Sequence, residues 1–197
     1  MARQRQIRQE SVRRVGMGRE RRGQAVSGRK RAMQVIFPGT FDPPTNGHLD
    51  LMRRAARMFG RVVVVIAVNP DKAALFTAQE RLEMVTNLVR DLPNAEVHVW
   101  QGLIVEFARR EGIHTLLRGV RALSDFEYEF ELSMMNKALF PRIETIFLPT
   151  DQKYFVLRSS GIKEVARFGG DVRSMVPEVV ARALTEKLRP LAAPYGR

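Results

Sequence analysis

The segment Arg61–Val68 constrains the fold of this chain more than any other part of the sequence. It reads Arg-Val-Val-Val-Val-Ile-Ala-Val, so apolar side chains point to both sides of the strand that it predicts. Strands of this kind lie inside parallel sheets, whose two faces are both covered by helices. Parallel neighbours are joined through crossover helices, so the rest of the chain should alternate strands with helices.

The remaining apolar patterns alternate in this way. Besides Arg61–Val68, short strands are predicted at Gln34–Phe37, Ala95–Trp100, His114–Leu117 and Ile143–Leu148. Helical spacing, or a capping-box sequence at the start, predicts helices at Asn46–Phe59, Thr77–Asp91, Leu103–Glu111, Ser124–Leu139, Ser159–Phe168 and Pro177–Leu188. The sequence therefore predicts a three-layer α/β domain around a five-stranded parallel sheet, with ligands at the carboxyl ends of the strands.

Composition excludes several kinds of site and divides the chain by charge. There is no cysteine among the 197 residues, which excludes disulfides, thiolate metal sites and cysteine nucleophiles. The net charge of +12 is concentrated at one end, because residues 1–32 carry eleven basic and two acidic side chains. We predict a disordered Arg-rich extension over residues 1–32, a folded domain over residues 33–190 and a C-terminal tail over residues 191–197.

Three interpretations of the extension remain open. In the first, the extension results from an upstream start codon or a cloning extension, with Met33 near the true start. In the second, it is a solvated tail of no specific role. In the third, it is a nucleic-acid arm or an organelle-targeting segment. No membrane partner is expected, because the longest apolar run, Val62–Val68, is far shorter than the ~18–20 residues of a membrane-spanning helix. We expect a cytoplasmic protein whose near-neutral folded part does not bind nucleic acid.

The stretch between the first strand and the first helix carries the strongest functional signal. Gly39–His48 reads Gly-Thr-Phe-Asp-Pro-Pro-Thr-Asn-Gly-His and leads directly into the helix. A helix start offers unpaired N–H groups and a positive dipole end, which together suit a phosphate. Thr40 and Thr45 add hydroxyl donors, and His48 on the first turn can point at the same anion. The alternative is a histidine that only caps the helix, but the ten-residue context favours a phosphate site.

Three more clusters fall at the same predicted edge of the sheet. Arg118 and Arg121 follow the fourth strand closely, as a bidentate phosphate clamp requires; the alternative is a solvated basic loop. Lys72 lies in the irregular loop after the second strand, where a functional and a surface role are equally compatible with the sequence. Ser159 and Ser160 begin a later helix, where they either contact phosphate or only cap the helix.

Together these clusters resemble bacterial phosphopantetheine adenylyltransferases, over residues 33–188. Gly-Thr-Phe-Asp-Pro with Thr-Asn-Gly-His is typical of the wider nucleotidylyltransferase superfamily, and the segments 118–129, 135–136 and 163–167 are more specific to this member. The resemblance implies a Rossmann-like nucleotidylyltransferase fold. It also implies reversible transfer of AMP from ATP to 4′-phosphopantetheine, which yields dephospho-coenzyme A and pyrophosphate.

The same resemblance implies roles for individual residues. It implies catalytic roles for His48, Lys72 and Arg118, and an acceptor site formed by Thr40, Lys72, Ile104 and Arg118. It implies that ATP meets Thr40, Phe41, His48, Gly119, Val120, Arg121, Glu129, Tyr154, Phe155, Val156, Leu157, Arg158, Ser159 and Ser160. Mg²⁺ as cofactor, a homohexamer and coenzyme A as a feedback ligand are implied as well. One departure is that only two hydroxyl residues follow Arg158, where the family usually has a longer run.

The expected reaction is a direct in-line attack of the acceptor phosphate on the α-phosphorus of ATP, which needs positioning and charge neutralisation more than covalent catalysis. Two enzyme alternatives remain, a nicotinate-mononucleotide adenylyltransferase and a glycerol-phosphate cytidylyltransferase, both of which commonly carry His where this chain has Thr45. Outside enzymes, the alternatives are nucleic-acid binding through the extension and a catalytically silent scaffold. The intact segments Thr45–His48 and Arg118–Arg121 argue against the scaffold.

Overall fold

The computed structural model describes residues 33–71 and 73–188, which belong to one compact unit. Five parallel strands form a single sheet in the order β3-β2-β1-β4-β5. Their bounds are β1 Gln34–Gly39, β2 Arg61–Val68, β3 Ala95–Gln101, β4 Thr115–Val120 and β5 Glu144–Pro149. The predicted five-stranded parallel sheet is confirmed, whereas the predicted extension, the predicted tail and Lys72 lie outside the described residues.

Six helices connect and follow these strands in the described part of the chain. They are α1 Asn46–Met58, α2 Ala78–Val89, α3 Ile104–Glu111, α4 Leu123–Leu139, α5 Ser159–Arg167 and α6 Glu178–Lys187. Thr77 caps α2 in the predicted capping box with Glu80. Gly112, at φ 65°, ends α3 in the left-handed region that favours glycine. None of these described helices has the length and apolar composition needed to cross a bilayer.

Alternating side chains of each inner strand sort into two cores, one on each face of the sheet. On β2, Val62, Val64 and Ile66 enter the first core, and Val63 and Val65 enter the second. Helices α1 and α2 cover the first core with Leu51, Met52, Ala55, Val85 and Val89. Helix α3 covers the second core with Val105, Phe107 and Ala108, and Phe140 joins it directly after α4. The sheet is therefore the middle of three layers, as predicted.

A third core holds the C-terminal helices against the edge of the domain. Ile162 of α5 and Leu184 of α6 pack with Phe76, which precedes α2, and with Met84 of α2. This packing places the first turn of α5 beside the loop that follows β1, where the Ser159 hydroxyl donates to the Pro43 carbonyl at 2.9 Å.

Two local predictions were wrong. Strand β4 does not end at Leu117, because its pairing with β5 continues to Val120 opposite Pro149. Arg118 and Gly119 therefore lie on the strand and not in a loop, which ties their backbone to the sheet. The capping box predicted at Ser124 does not form either. The Phe126 amide bonds to the Ala122 carbonyl, so α4 already begins at Leu123, and in the described structure its N-cap lacks a side-chain hydrogen bond.

Candidate active site

A cleft of about 450 Å³ opens at the carboxyl ends of β1, β4 and β5. Its walls come from the loop after β1, the first turn of α1, the end of β4, one side of α4 and the start of α5. The lining residues are Phe37, Pro38, Gly39, Thr40, Phe41, Thr45, Gly47, His48, Leu51, Arg118, Gly119, Arg121, Asp125, Glu129, Thr150, Tyr154, Leu157, Arg158, Ser159 and Ser160. The cleft occupies the position that parallel α/β sheets offer to ligands.

The loop after β1 packs around a buried aromatic side chain, Phe41. Phe41 has a φ of 47° and is 1% exposed, and its ring packs edge-on against Phe37 and His48 at centroid distances of 5.6 and 5.2 Å. A β-carbon on Gly39 would come within 2.8 Å of that ring. Glycine is therefore required at position 39 for the Phe41 ring to lie where it supports His48.

His48 is fixed by the first turn of α1. Thr45 is the N-cap, its hydroxyl accepts from the His48 amide at 3.3 Å, and its own amide donates to His48 Nδ1 at 3.0 Å. A ring nitrogen that accepts an N–H carries no proton, so a neutral His48 must hold its proton on Nε2. The capping interaction therefore leaves Nε2–H as a donor. Capping and ligand binding, which the sequence presented as alternatives, are compatible in this ring.

Burial and two neighbouring cations keep this imidazole neutral. Burial lowers the pKa of His48 to about 4, with further contributions from the positive charges of Arg121 and Arg118. The unperturbed value is about 6.5. At neutral pH the ring is therefore a neutral hydrogen-bond donor in a cleft whose described lining carries three arginines and two carboxylates.

Arg118 is held by two different parts of the chain. Its Nε and one terminal nitrogen form a two-point ion pair with the Glu129 carboxylate of α4, and its other terminal nitrogen donates to the Pro38 carbonyl at 2.9 Å. Such a two-point pair fixes the plane of the guanidinium. Arg118 thus enters the cleft in one orientation, and Glu129, which the resemblance assigns to ATP, contacts Arg118 in this structure.

Arg121 is held in a similar way by another carboxylate of α4. Its Nε donates to Asp125 at 2.9 Å, and a terminal nitrogen donates to the Leu157 carbonyl at 2.8 Å. Asp125 lies in the first turn of α4, pairs with Arg121 just before that helix and also lines the cleft. The i to i+4 spacing of Arg121 and Asp125 was the only sequence signal for this contact.

The structure brings together twelve of the sequence-predicted site residues, which stand in the lining given above: Thr40, Phe41, His48, Arg118, Gly119, Arg121, Glu129, Tyr154, Leu157, Arg158, Ser159 and Ser160. Four predicted residues are not among the described lining residues: Ile104, Val120, Phe155 and Val156. Ile104 packs with the second core, and Phe155 and Val156 are 48% and 79% exposed. Lys72 lies outside the described residues. The sequence analysis missed five lining residues that carry no motif of their own: Phe37, Pro38, Leu51, Asp125 and Thr150.

A magnesium ion would have to depend mainly on oxygens of a bound ligand. The described residues hold no group of three or more histidine, aspartate or glutamate side chains that could bind a metal. Both cleft carboxylates, Asp125 and Glu129, are paired with arginines. Mg²⁺ usually keeps several waters and takes phosphate oxygens with few protein ligands, so this cleft is compatible with an ion carried by a nucleotide.

Comparisons with known proteins agree with this geometry. Residues 36–165 match the cytidylyltransferase-like family. A phosphopantetheine adenylyltransferase of Clostridium tetani is 48% identical over 153 residues, which cover 78% of this chain and 96% of the relative. The enzyme of the same name from Desulforudis audaxviator is 49% identical, covering 78% of this chain and 94% of the relative.

A solved structure shows the same fold at much lower identity. A Vibrio parahaemolyticus protein described as a nicotinate-nucleotide adenylyltransferase aligns with a TM-score of 0.60 and 19% identity, over 79% of this chain and 94% of that one. At this identity the likeness supports the Rossmann-like fold alone. The curated relatives decide the family: this chain belongs to the phosphopantetheine adenylyltransferases, within the cytidylyltransferase-like group.

Proposed function

We propose that the protein transfers the adenylyl group of ATP to 4′-phosphopantetheine, producing dephospho-coenzyme A and pyrophosphate. The observation that carries this proposal is the neutral His48, whose Nε2–H is left free by the cap on Nδ1 and stands in a cleft with Arg118 and Arg121. A donor and two cations at a helix start suit a phosphate chain on which negative charge develops. Family membership supplies the identity of the acceptor.

The reaction is a single displacement at phosphorus. An oxygen of the acceptor phosphate forms a bond to the α-phosphorus of ATP, and the bond from that phosphorus to the pyrophosphate oxygen breaks. The acceptor oxygen is already anionic, so it needs no strong general base. His48 Nε2–H donates to an α-phosphate oxygen, where it stabilises the charge that grows as the new bond forms.

Different residues of the cleft are assigned to the two substrates. Arg118, held by Glu129 and the Pro38 carbonyl, presents its guanidinium to the acceptor phosphate, together with Lys72. Arg121, Ser159 and Ser160 face the nucleotide, with the amide groups of the first turn of α5 near its phosphates. The cleft would offer Mg²⁺ few protein ligands, because Asp125 and Glu129 are paired with arginines, and the ion would supply partial neutralisation of the triphosphate charge.

We further propose that the protein acts as a homohexamer in the cytoplasm, with coenzyme A as a feedback ligand. Support for assembly comes from α4, whose residues are all at least partly exposed in the described chain. It presents large apolar side chains that are 37–73% exposed: Leu123, Phe126, Tyr128, Phe130, Met134, Met135 and Leu139. So many exposed large apolar side chains on one helix indicate an interaction site. A second copy of the chain is the occupant that we propose.

The test is pyrophosphate release from ATP in separate incubations with 4′-phosphopantetheine and with nicotinate mononucleotide. We expect release with the first acceptor and only background with the second. The His48→Ala variant, which lacks the donor, is the control for background release, and its fold is checked by circular dichroism. Activity with nicotinate mononucleotide but not with 4′-phosphopantetheine would overturn the proposed acceptor.

A further inference from the structure

A buried carboxylate behind the cleft joins three segments that are distant in sequence. Asp42 is 6% exposed and is not among the described residues that line the cleft. Its Oδ1 accepts the Phe76 amide at 2.9 Å, and its Oδ2 accepts the Leu75 amide at 3.0 Å and the Lys163 ammonium at 2.7 Å. Both carboxylate oxygens are therefore occupied by the protein itself.

These three donors belong to two segments that are distant from Asp42 in the sequence. Asp42 lies between Thr40 and Thr45, in the loop that carries the His48 cap. Leu75 and Phe76 belong to the segment between β2 and α2, in which the sequence also places Lys72. Lys163 is on α5, one turn beyond Ser159. A single carboxylate thus connects the His48 loop with the acceptor-side segment and with the nucleotide-side helix.

Two neighbouring contacts strengthen this connection. Ser159 Oγ donates to the carbonyl of Pro43, the residue after Asp42, so α5 is tied to the loop at two successive residues. Arg81 of α2 is 4% exposed and donates to the Thr40 carbonyl at 2.8 Å, so α2 is tied to the other side of the same loop. Within the described residues, no buried side-chain nitrogen or oxygen lacks a partner, so the network is fully satisfied.

The charge of Asp42 persists despite its burial. Burial by itself would raise the pKa of this carboxyl, but the Lys163 hydrogen bond and the Phe76 and Leu75 amides outweigh it, and the pKa lies below its usual value. Asp42 is therefore an anion at neutral pH and a strong acceptor for all three donors.

We propose that Asp42 is a positioning residue of the transfer reaction, which fixes the acceptor-side segment and the start of α5 relative to His48. The inference rests on the proposed function, because it needs an acceptor on one side and a nucleotide on the other. Asp42 acts by holding these three donors in place, and it contacts neither substrate. An in-line displacement is sensitive to such spacing, because a misplacement of ~1 Å can cost ~10²-fold in rate.

The experiment compares two variants that break different parts of the connection. Lys163→Met removes the contact of Asp42 with α5 and leaves the two amide bonds and the Ser159–Pro43 contact, so the KM for ATP should rise by about threefold or more while the KM for the acceptor stays unchanged. Asp42→Asn removes the negative charge that all three donors share, and it replaces one of the two acceptor oxygens with an amide nitrogen, which cannot accept a hydrogen bond. Here both KM values should rise and kcat should fall by about tenfold to a hundredfold.

Ile143→Val is the control for a general loss of stability. Ile143 is 1% exposed in the second core, just before β5 and at the opposite end of the sheet from the cleft. This variant should lower the melting temperature and leave both KM values unchanged. The fraction of folded protein at the assay temperature is measured by circular dichroism for every variant, and kcat is expressed per folded chain.

The outcomes separate the two proposals. If the unsubstituted protein releases no pyrophosphate with 4′-phosphopantetheine, the proposed function is wrong and the positioning role is lost with it. If the unsubstituted protein is active and Asp42→Asn keeps its kcat and both KM values, only the positioning role is overturned. It is overturned as well if both variants lose activity only in proportion to unfolded protein, or if Lys163→Met changes both KM values equally.

Discussion

His48 uses its two ring nitrogens for two different tasks. Nδ1 accepts the Thr45 amide and so completes the cap of α1, while Nε2 keeps the proton that a phosphate oxygen can receive. The cap sets the tautomer, and burial with the charges of Arg121 and Arg118 keeps the ring neutral. A residue that looks like a helix cap is therefore compatible with the role of a transition-state donor.

The first prediction concerns the loss of this donor. His48→Ala should lower kcat by about 10²–10³-fold and leave ATP affinity largely unchanged, because the Nε2 donor acts on charge that develops in the transition state. Steady-state kinetics and ATP titration check both parts. His98→Gln, a substitution on strand β3 and outside the described cleft lining, is the matched control and should retain full activity. A His48→Ala enzyme with near-normal kcat would contradict the assignment.

The second prediction concerns the protonation of His48. Its pKa of about 4 lies below the unperturbed value of about 6.5, so between these values the unfolded chain binds more protons than the folded one. The neutral His48 ring therefore makes its full contribution to the free energy of unfolding above pH ~6.5. This contribution is lost as the pH falls toward 4. Imidazole NMR of the free enzyme, assigned with His48→Gln, should show one ring that stays neutral down to about pH 5. Titration of that ring near pH 6.5 would contradict this structure of the site.

At the scale of the elements, strand β4 and helix α1 pack directly against each other beside the cleft. A β-carbon on Gly119 would lie 2.3 Å from Leu51 Cδ1, so this contact needs glycine on the strand. The sequence analysis interpreted Arg118–Leu123 as a loop and gave Gly119 only a ligand contact. The pairing of β4 with β5, which is a tertiary contact, extends the strand and turns the glycine into a packing residue.

The third prediction tests this packing. Gly119→Ala should destabilise the protein by about 1–3 kcal/mol, because the added methyl group displaces the buried Leu51 side chain. Urea denaturation followed by circular dichroism measures the change. Gly161→Ala on α5 is the control: nothing lies within 4 Å of its added β-carbon, so it should be neutral or stabilise by about 0.4–1 kcal/mol. Adding Leu51→Ala to Gly119→Ala should cost less than the sum of the single changes, since the two residues are in contact.

At the scale of the whole molecule, the apolar surface of α4 is the feature that the single chain leaves unexplained. Its large apolar side chains are 37–73% exposed, although Phe126 packs against Phe147 of β5 and the same helix supplies Asp125 and Glu129 to the cleft. If α4 lies in an interface between copies, assembly also fixes the wall that holds Arg118 and Arg121. The oligomer and the active site would then share one helix.

The fourth prediction follows from this shared helix. Met134→Lys should break the assembly, because it places a charge in an apolar surface, and it should also lower kcat through α4. Light scattering should give six times the 22.5 kDa chain mass for the unsubstituted protein and a smaller mass for the variant. Met58→Lys, on the exposed side of α1, should leave the mass unchanged. A monomeric unsubstituted protein would contradict the proposed hexamer.

The fifth prediction concerns the Arg-rich extension. The curated relatives align with 153 of the 197 residues and are covered to 94–96%, and the family match spans residues 36–165, so we expect the transfer reaction to proceed without residues 1–32. A variant that begins at Met33 should keep its kcat/KM in the pyrophosphate assay. Any binding of the full chain to nucleic acid should weaken steeply with salt and disappear in this variant. Loss of transferase activity on deletion would give the extension a role in the reaction.

The sequence by itself determined the order of the elements and the place of the site. Apolar residues on both faces of Arg61–Val68 require an interior parallel strand, and Gly39–His48 between a strand and a helix marks a phosphate site. These signals are local, because side-chain period, turn residues and helix starts depend on neighbours a few positions away. For the same reason the bounds of β2 were predicted correctly.

Only the tertiary structure decided how the site residues are held. Asp42 meets partners 33, 34 and 121 positions away, and Arg118 meets Pro38 80 positions away. The outward position of Phe155 and Val156 likewise depends on how their loop lies over the sheet edge. No local pattern encodes such contacts, since they arise when the sheet brings the carboxyl ends of separate strands together. The sequence thus placed the chemistry at one edge and set the His48 tautomer through a local cap, whereas the fold set the orientation of the arginines and the charge state of His48.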